Sequence, residues 1–374
     1  MDRWLTTELL GPLLFGIAAF TAVSLSVGVV FELVRKVAEA GLPPLVAMQV
    51  LGLRLPGFLV LSFPMATLMA TLLGYSRLSG SSELTALRSI GVSTRRMVVP
   101  ALSVALVMTA LTFVFNDLIV PSANLAASDT LDAALGRALA SERGDNVVYS
   151  RFGEVTVQEG GKQRSGRALA QLFYARRFRE GQMQGVTLLD FSRPGQQQML
   201  LAETAVWNDA RSMWEFRKGR IVNISNADSR TTSADFDRYF YPFTSAPMEV
   251  GKLPTDAAQM TVAQALRAER LLQDSGDLKE ARRLRVRIQE KFAFPAICLV
   301  FGLIGSSLGV RPNSRTSRSQ GFGISVLLIF GYYLMSFIFS SLGVKGTLLP
   351  FFSAWLPVFI GLAGGLYLLR QASR

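Results

Sequence analysis

The sequence predicts a membrane protein built from six transmembrane helices, with an all-β domain inserted between the third helix and the fourth. Half of the 374 residues are hydrophobic and only 18% are charged, whereas a soluble domain carries about 25% charged residues. Long uncharged windows recur near both ends of the chain, and the stretch between them has the composition of a soluble domain.

Six windows without an ionised side chain predict the transmembrane helices. A helix that rises 1.5 Å per residue needs about 20 residues to cross a hydrocarbon core about 30 Å thick. The windows contain 19 to 26 residues each. They are residues 9–31, 55–76, 97–116, 292–310, 319–344 and 346–369. In the fourth window, Gly302, Gly305, Ser306 and Gly309 form a small-residue face suited to close helix packing.

Basic residues in the short connecting segments predict the orientation. If the N-terminus is cytoplasmic, the cytoplasmic segments carry ten Lys and Arg residues and the opposite side carries four. Positive residues accumulate on the cytoplasmic side. We therefore expect both termini inside and the inserted domain outside the cytoplasm.

The inserted stretch between residues 116 and 292 contains five β-rich segments separated by turn-like residues. Short strands at this spacing are typical of an antiparallel sandwich or partial barrel. The predicted strands are residues 146–158, 169–178, 183–191, 199–207 and 213–224. A helical region follows, with a capping box at Thr261 and Gln264 and a break near Ser275 and Gly276.

The composition excludes many enzyme chemistries. No histidine is present and Cys298 is the only cysteine, which excludes a Ser-His-Asp triad, histidine-ligated haem, an internal disulfide and a thiolate metal cluster. A P-loop motif is also missing from the sequence, so we expect this chain to have no cofactor of its own. The net charge of +12 is divided between inner loops and the external part, which does not favour nucleic acid as a partner.

The loop between the second and third windows predicts a short amphipathic helix near residues 81–91. Ser81 or Ser82 would cap it, and Glu83 in the first turn would interact favourably with the helix dipole. Leu84, Leu87 and Ile90 would share one face, with Gly91 as the C-terminal stop. Such a helix either rests on lipid headgroups or docks into a groove on a cytoplasmic motor.

Residues 75–79, 83–88 and 91–93, with Pro100 following, resemble the signature of the LptF/LptG (YjgP/YjgQ) permeases. These are membrane subunits of the ABC machine that extracts lipopolysaccharide from the inner membrane of Gram-negative bacteria. The resemblance covers all six windows. Its other motifs are Asn116, Pro121 and residues 291–295, 305–309, 331–333 and 354–357.

The resemblance implies six transmembrane helices with a periplasmic β-jellyroll between the third and fourth. The implied division is residues 1–120, 121–258 and 259–374. It further implies a non-catalytic subunit of the inner membrane, working with an ABC ATPase dimer that binds ATP and Mg²⁺. The other implied partners are a second permease chain of the family or a second copy of this one, periplasmic jellyroll bridge proteins, and lipopolysaccharide.

Particular residues receive roles on the same basis. The resemblance implies that the helix around Glu83, with Leu84, Leu87 and Arg88, couples to the ATPase. The outer cations Arg35, Lys36 and Arg54 would either hold lipid phosphates or extend to the membrane interface. A last set of apolar side chains would either line a trough for acyl chains or form ordinary sandwich core. These are Leu172, Phe173, Leu188, Phe191, Leu200 and Val206.

Two other functions are open on the sequence. The chain could be a permease for another large envelope lipid. Alternatively, it could be a membrane sensor or mechanical transmitter whose external domain binds a ligand while the helix around Glu83 signals inward. An accessible acyl trough would indicate a carrier, and a dry β core would favour the sensor.

Overall fold

The computed structural model describes residues 2–135, 147–159, 162–179, 181–193, 196–225, 230–250, 253–254, 256–310 and 318–373. The chain forms two compact units. One contains residues 1–131 and 285–374, and the other contains residues 132–284. The second unit therefore includes residues 259–284, which the predicted division at residue 258 assigns to the later helices.

One block of strands lies between two blocks of helices along the chain. The first block is α1 (Asp2–Leu25), α2 (Phe31–Ala40), α3 (Pro44–Gly80), α4 (Glu83–Ser89), α5 (Thr94–Val114) and α6 (Val120–Ala134). The strands are β1 (Val147–Glu159), β2 (Lys162–Arg179), β3 (Gln182–Asp190), β4 (Gln196–Asn208), β5 (Met213–Ser225) and β6 (Thr231–Tyr241). The last block is α7 (Ala246–Val250), α8 (Val262–Asp274), α9 (Leu278–Gly309), α10 (Arg318–Lys345) and α11 (Pro350–Ala372).

Six helical segments in the described residues are long and apolar enough to cross a membrane, which confirms the six predicted spans. They are Asp2–Ala40, Pro44–Gly80, Thr94–Leu131, Leu278–Gly309, Gly323–Lys345 and Pro350–Ala372. The first joins α1 to α2 through a π-helical turn at Ser26–Val30, and the third joins α5 to α6 through another at Phe115–Ile119. The helices extend beyond the uncharged windows because their charged ends continue the same hydrogen-bond ladder.

The predicted small-residue face of α9 lies directly against α3 and α5. A Cβ on Gly309 would come within 2.6 Å of the Tyr75 Cβ and 3.0 Å of the Leu72 carbonyl oxygen. One on Gly305 would lie 2.9 Å from the Leu68 carbonyl oxygen, and one on Gly302 would lie 2.5 Å from the Ala105 Cβ. The backbones of α3 and α9 thus approach each other at a distance that only glycine allows.

The strands form one antiparallel sheet in which each strand pairs with the next in the chain, β1 to β6. The five predicted strands are all present, and the inserted β domain is confirmed. β6 is an additional strand that the sequence did not reveal, because it is an edge strand with mostly exposed, polar side chains. A jellyroll contains crossovers between non-consecutive strands. The described strands have none and form a meander.

The meander is bent by one irregular row that crosses five strands. In each strand from β2 to β6, one residue has no partner in the ladder, although the residues on both sides of it are paired. These residues are Arg176, Gly185, Glu203, Lys218 and Asp237. Gly185 and Lys218 have positive φ values of 59° and 49°. Aligned irregularities of this kind bend every strand at the same level.

Contacts across this bend show that the sheet folds onto itself. The pairing from β3 through β4 and β5 to β6 places Phe240, the neighbour of Tyr241, level with Gln182. Gln182 is the first residue of β3 and Asp190 is the last. A flat sheet would hold Asp190 and Tyr241 more than about 25 Å apart, yet their side chains are hydrogen-bonded. The Phe173 and Trp214 rings, from opposite sides of the bend, are 5.1 Å apart. One bent sheet therefore supplies both layers of the predicted sandwich.

Helix α8 begins as predicted. The Gln264 backbone N–H donates to Thr261 Oγ1, and the Thr261 N–H donates to Gln264 Oε1 at 3.0 Å, which completes the capping box. The predicted break is also present, with Gly276 at a φ of 79° between α8 and α9.

We predict that Gly305→Ala lowers the stability of the helical unit by about 1–3 kcal/mol, because the new methyl group overlaps the α3 backbone and α3 or α9 must shift. The measurement is the thermal unfolding midpoint of the purified chain in detergent.

Gly364→Ala on α11 is the matched control, because a Cβ there meets no atom within 4 Å. Equal midpoints for the two variants would show that the α3–α9 contact tolerates a side chain.

Candidate functional site

Helix α4 begins at Glu83, at the C-terminal end of α3. Ser82 occupies the N-cap position with a φ of 62°, and its side chain makes no capping hydrogen bond. The Ser81 hydroxyl instead donates to Glu83 Oε1 at 2.6 Å. Glu83 is partly exposed. It also lies in the first turn, as the helix dipole favours.

The apolar face of α4 packs on the helical unit. Leu84 is 1% exposed and belongs to the same cluster as Tyr75, Leu78 and Met97. Leu87 is partly buried against that cluster. The prediction that Ile90 shares this face is wrong, because the helix ends at Ser89 and Ile90 is 75% exposed.

The turn after α4 depends on Gly91. Its φ of 91° lies in a region that other residues rarely adopt, which confirms the predicted helix stop. The turn directs the chain into α5, where the Ser93 side chain accepts a hydrogen bond from the Arg96 backbone N–H.

Arg88, in the last turn of α4, contacts a distant helix. Its Nη2 donates to the Val310 carbonyl oxygen at 2.9 Å, immediately after the last residue of α9. Its Nε is buried without a hydrogen-bond partner. Thus Leu84, Leu87 and Arg88 are directed into the protein, and the exposed side of α4 presents Glu83 together with Thr85, Ala86 and Ser89.

Ion pairs tie the N-terminal end of α1 to the same region. Arg77 on α3 pairs with Glu8, and Arg96 on α5 pairs with Asp2 at 2.6 Å. The Tyr75 hydroxyl donates to the Met97 carbonyl oxygen at 2.6 Å, which joins α3 to α5 in the buried interior. The helix ends around α4 are therefore held together by polar as well as apolar contacts.

Two of the three outer cations, Lys36 and Arg54, are arranged around one carboxylate, that of Glu32. Lys36 Nζ lies 2.6 Å from Glu32 Oε1, and Arg54 Nη1 lies 3.8 Å from Glu32 Oε2. Arg35 is separate: its side chain is 68% exposed and its Nε is 4.0 Å from Glu39. The structure brings Lys36 and Arg54 together, and Glu32 neutralises part of their charge.

Three of the six acyl-trough candidates share one row of the sheet. Phe173, Leu188 and Leu200 are paired across β2, β3 and β4 and are at most 1% exposed. They face the interior of the folded sheet, where Trp214 and Phe216 belong to the same core. This core is packed and closed in the structure.

The other trough candidates do not join that row. Neighbouring residues of a strand point to opposite faces, so Leu172 faces away from the core that contains Phe173. Val206 faces away in the same manner, because the buried Ala205 precedes it. Their assignment to the sandwich interior is wrong for this reason. Phe191 is partly buried just beyond the end of β3.

A buried polar group, which we call the Asp190 cluster, consists of Gln171, Asp190, Ser192 and Tyr241. The Asp190 carboxylate accepts hydrogen bonds from the Ser192 N–H at 2.8 Å, the Ser192 hydroxyl at 2.5 Å, Gln171 Nε2 at 3.1 Å and the Tyr241 hydroxyl. Gln171, Asp190 and Tyr241 are each at most 8% exposed. The cluster joins the two layers of the bent sheet.

Hydrogen bonding decides the charge state of this cluster. Burial raises the pKa of the Asp190 carboxyl, but the hydrogen bonds from Ser192, Tyr241 and Gln171 outweigh burial and hold the pKa below its ordinary value. Burial and the adjacent carboxylate both raise the pKa of Tyr241. Asp190 is thus an anion at neutral pH. Sequence reasoning missed it because its partners are far apart in the chain.

Two groups of three spans, a β domain inserted between them, and a short helix bonded to the bundle define a multi-pass membrane protein. In the described part of the chain, no group of His, Cys, Asp and Glu side chains is arranged to hold a metal ion.

A comparison with protein families matches the chain to the family described as "Lipopolysaccharide export system permease LptF/LptG". The match covers residues 3–371, nearly the whole sequence, and the chain belongs to this family. No individual curated protein matches it. The chain is accordingly a permease component of an Lpt transporter and a multi-pass protein of the inner membrane.

We predict that Tyr241→Phe destabilises the β-containing unit by about 1–3 kcal/mol, because the Asp190 carboxylate loses a buried hydrogen-bond donor. The measurement is urea unfolding of the full chain, followed by Trp207 and Trp214 fluorescence after Trp4 and Trp355 are replaced by Phe. Tyr239→Phe on the same strand is the matched control.

The Asp190 cluster also makes the stability of the fold depend on pH in the acid range. A carboxyl whose folded pKa is lowered stabilises the fold above its unfolded pKa, about 3.9, and this contribution is lost as the pH falls through the folded pKa. Asp190→Asn should remove this part of the acid dependence. An unchanged acid profile in that variant would contradict the role given to Asp190.

Proposed function

We propose that the chain extracts lipopolysaccharide from the inner membrane and passes it through its periplasmic β domain to a bridge protein, driven by an ABC ATPase dimer that docks on α4. Family membership supports the substrate. The observation that carries the coupling step is α4 itself, whose inner face is fixed to the bundle while Glu83 remains accessible.

Docking at α4 follows from what its exposed side offers. A seven-residue helix is not stable alone, so Leu84 and Leu87 hold it in place and the carboxylate of Glu83 is left to meet a cation. A basic residue in a groove of the ATPase is the complementary partner. In this proposal the ATPase binds ATP and Mg²⁺, and the permease chain performs no catalysis.

Both termini and α4 lie in the cytoplasm, and the β domain lies in the periplasm. The distribution of Lys and Arg over the short loops supports this orientation. ATP is available only on the cytoplasmic side, so the orientation agrees with docking at α4. The lipid then travels from the membrane towards the β domain.

The outer cations hold the phosphate groups of the lipid during this transfer. Arg35 is the most accessible of the three, and its fork of N–H donors matches a phosphate. Lys36 and Arg54 share Glu32 at 2.6 Å and 3.8 Å, so a phosphate must compete with that carboxylate. This competition makes the site weak enough to release the lipid.

The acyl chains enter the β domain between the layers of the bent sheet. Phe173, Leu188 and Leu200 form the apolar floor of this path, and the layers must separate for a chain to reach them because these residues are buried. The Asp190 cluster joins the layers, so it must loosen or move when they separate.

A second permease chain, or a second copy of this one, forms a central lipid cavity together with the spans of this chain. The first and fifth spans support this role because they are the least buried of the six candidate spans, with 22% and 17% of their apolar windows buried. Lipid enters the cavity past these two helices. A periplasmic jellyroll protein then receives it at an edge of the β domain.

A membrane sensor is the second candidate function, and the closed β core is the observation that favours it. Phe173 and Leu200 are fully buried and Leu188 is 1% exposed, as expected for a core that lipid never enters. A sensor of this kind would bind its ligand elsewhere on the β domain and signal through α4. A permease for another envelope lipid would keep the coupling and change only the cargo.

We predict that Glu83→Arg weakens ATPase binding by about tenfold or more, because a favourable charge pair becomes a repulsive one. The measurement is co-purification of the ATPase with the membrane-inserted variant, followed by titration of the purified proteins.

Glu39→Arg provides the control for charge reversal, since this exposed acid lies at the far end of α2. Undiminished binding by Glu83→Arg would remove α4 from the ATPase interface.

We also predict that replacing Arg35 and Lys36 together by Ala reduces photocrosslinking to phosphorylated lipid, because two cations near the outer ends of the spans are lost. Glu32→Gln should have the opposite effect, since it frees the cations from their carboxylate.

Lys345→Ala removes an exposed cation at the end of α10 and serves as the control. Unchanged crosslinking in the Arg35 and Lys36 variant would leave these cations with an interfacial role only.

A further inference from the structure

We propose that Arg88 is a positioning residue that transmits the movement of α4 to α9, rather than a residue that contacts the ATPase. The inference rests on the proposed coupling role of α4 and assigns the route by which force leaves that helix. It separates two residues that the resemblance placed in one coupling site: Glu83, which receives the ATPase, and Arg88, which passes its movement on.

The contact itself points into the protein. Arg88 Nη2 donates to the Val310 carbonyl oxygen at 2.9 Å, and its Nε is buried. Two of its three guanidinium nitrogens are therefore directed away from the exposed side of α4. A partner protein that docks over Glu83 would find the Arg88 side chain already committed to its own chain.

The end of α9 is a site that suits a cation. The last carbonyl groups of a helix lack intrahelical donors, and the helix dipole places partial negative charge there. Val310 follows the last residue of α9, and its own N–H donates to the Ser306 carbonyl oxygen. Arg88 supplies a charged donor to the next open carbonyl, and charge-assisted hydrogen bonds are stronger than neutral ones.

The helix that Arg88 holds cannot slide independently of α3. Gly305 and Gly309 bring α9 against the α3 backbone, and Val310 is buried in the same cluster as Leu84. A push on α4 is thus passed to α9 at two points: apolar packing around Leu84 near the start of α4, and the Arg88 hydrogen bond at its end. Removing Arg88 leaves α4 attached to the bundle by the apolar packing of Leu84 and Leu87 alone.

The position of Arg88 explains why a charged link is needed at that end. Beyond Arg88 the chain turns at Gly91, and Ile90 is exposed. After Leu87, therefore, no apolar side chain of α4 holds its C-terminal end to the bundle. The Arg88 side chain bonds to Val310 at this end, and the next apolar side chain to pack against the bundle is Val92, after the turn at Gly91.

The test compares Arg88→Gln, Arg88→Lys and the control Arg95→Gln in the full chain, assembled with its ATPase and second permease chain in proteoliposomes. Arg95 is an exposed arginine of the same inner segment. Two quantities are measured for each variant: the affinity for the ATPase, and the lipopolysaccharide released per ATP hydrolysed.

We expect Arg88→Gln to bind the ATPase within about twofold of the native affinity while releasing about tenfold less lipid per ATP, the effect of losing one charge-assisted hydrogen bond. Arg88→Lys should recover part of the yield, and Arg95→Gln should match the native chain. If Arg88→Gln instead loses ATPase binding as Glu83→Arg does, Arg88 is a docking residue and the inference is overturned. If Arg88→Gln releases as much lipopolysaccharide per ATP hydrolysed as the native chain does, the inference is also overturned.

Hydrogen exchange of the native complex provides a measurement that does not depend on a variant folding. Addition of ATP should change the exchange of the amides of α4 and of residues 306–310 together. A change at α4 alone would contradict the proposed link. If the native chain binds no ATPase at all, the proposed function fails first, and this outcome is distinguishable from failure of the Arg88 link.

Discussion

The backbone contact between α3 and α9 is the constraint on which the inner end of the helical unit depends. Gly305 and Gly309 allow this approach, and it fixes Tyr75 and the end of α9 as one surface. Helix α4 folds only because that surface receives Leu84. The accessible carboxylate of Glu83 is thus a consequence of packing that begins in the spans.

The β-containing unit depends on a different device, a bend shared by neighbouring strands. Skipped positions at Gly185 and Lys218 turn one meander into two facing layers, and the Asp190 cluster bonds them. The result is a closed apolar core, so a carrier function requires the layers to part. Layers joined by the hydrogen bonds of the Asp190 cluster can separate reversibly, because the bonded groups can exchange their partners for water.

Much of this architecture could be predicted from the sequence, because hydrophobic length and strand alternation are local signals. The six spans, the capping box at Thr261 and the glycine stop at Gly91 follow from residues near each other in the chain. The bent sheet could not be predicted, since its skipped row consists of residues from five strands. The roles of Asp190 and Arg88 depend on Tyr241 and Val310, partners remote in sequence. Ile90 was placed wrongly because periodicity does not show where a short helix ends.

The most direct test of the account is to purify the tagged chain from native membranes in mild detergent and to identify the bound proteins and lipids by mass spectrometry. The account predicts an ABC ATPase, a permease chain and bound lipopolysaccharide in one complex. An ATPase with a different lipid would keep the coupling through α4 and replace the cargo. A chain that carries lipid or ligand but no ATPase would contradict the account and favour the sensor.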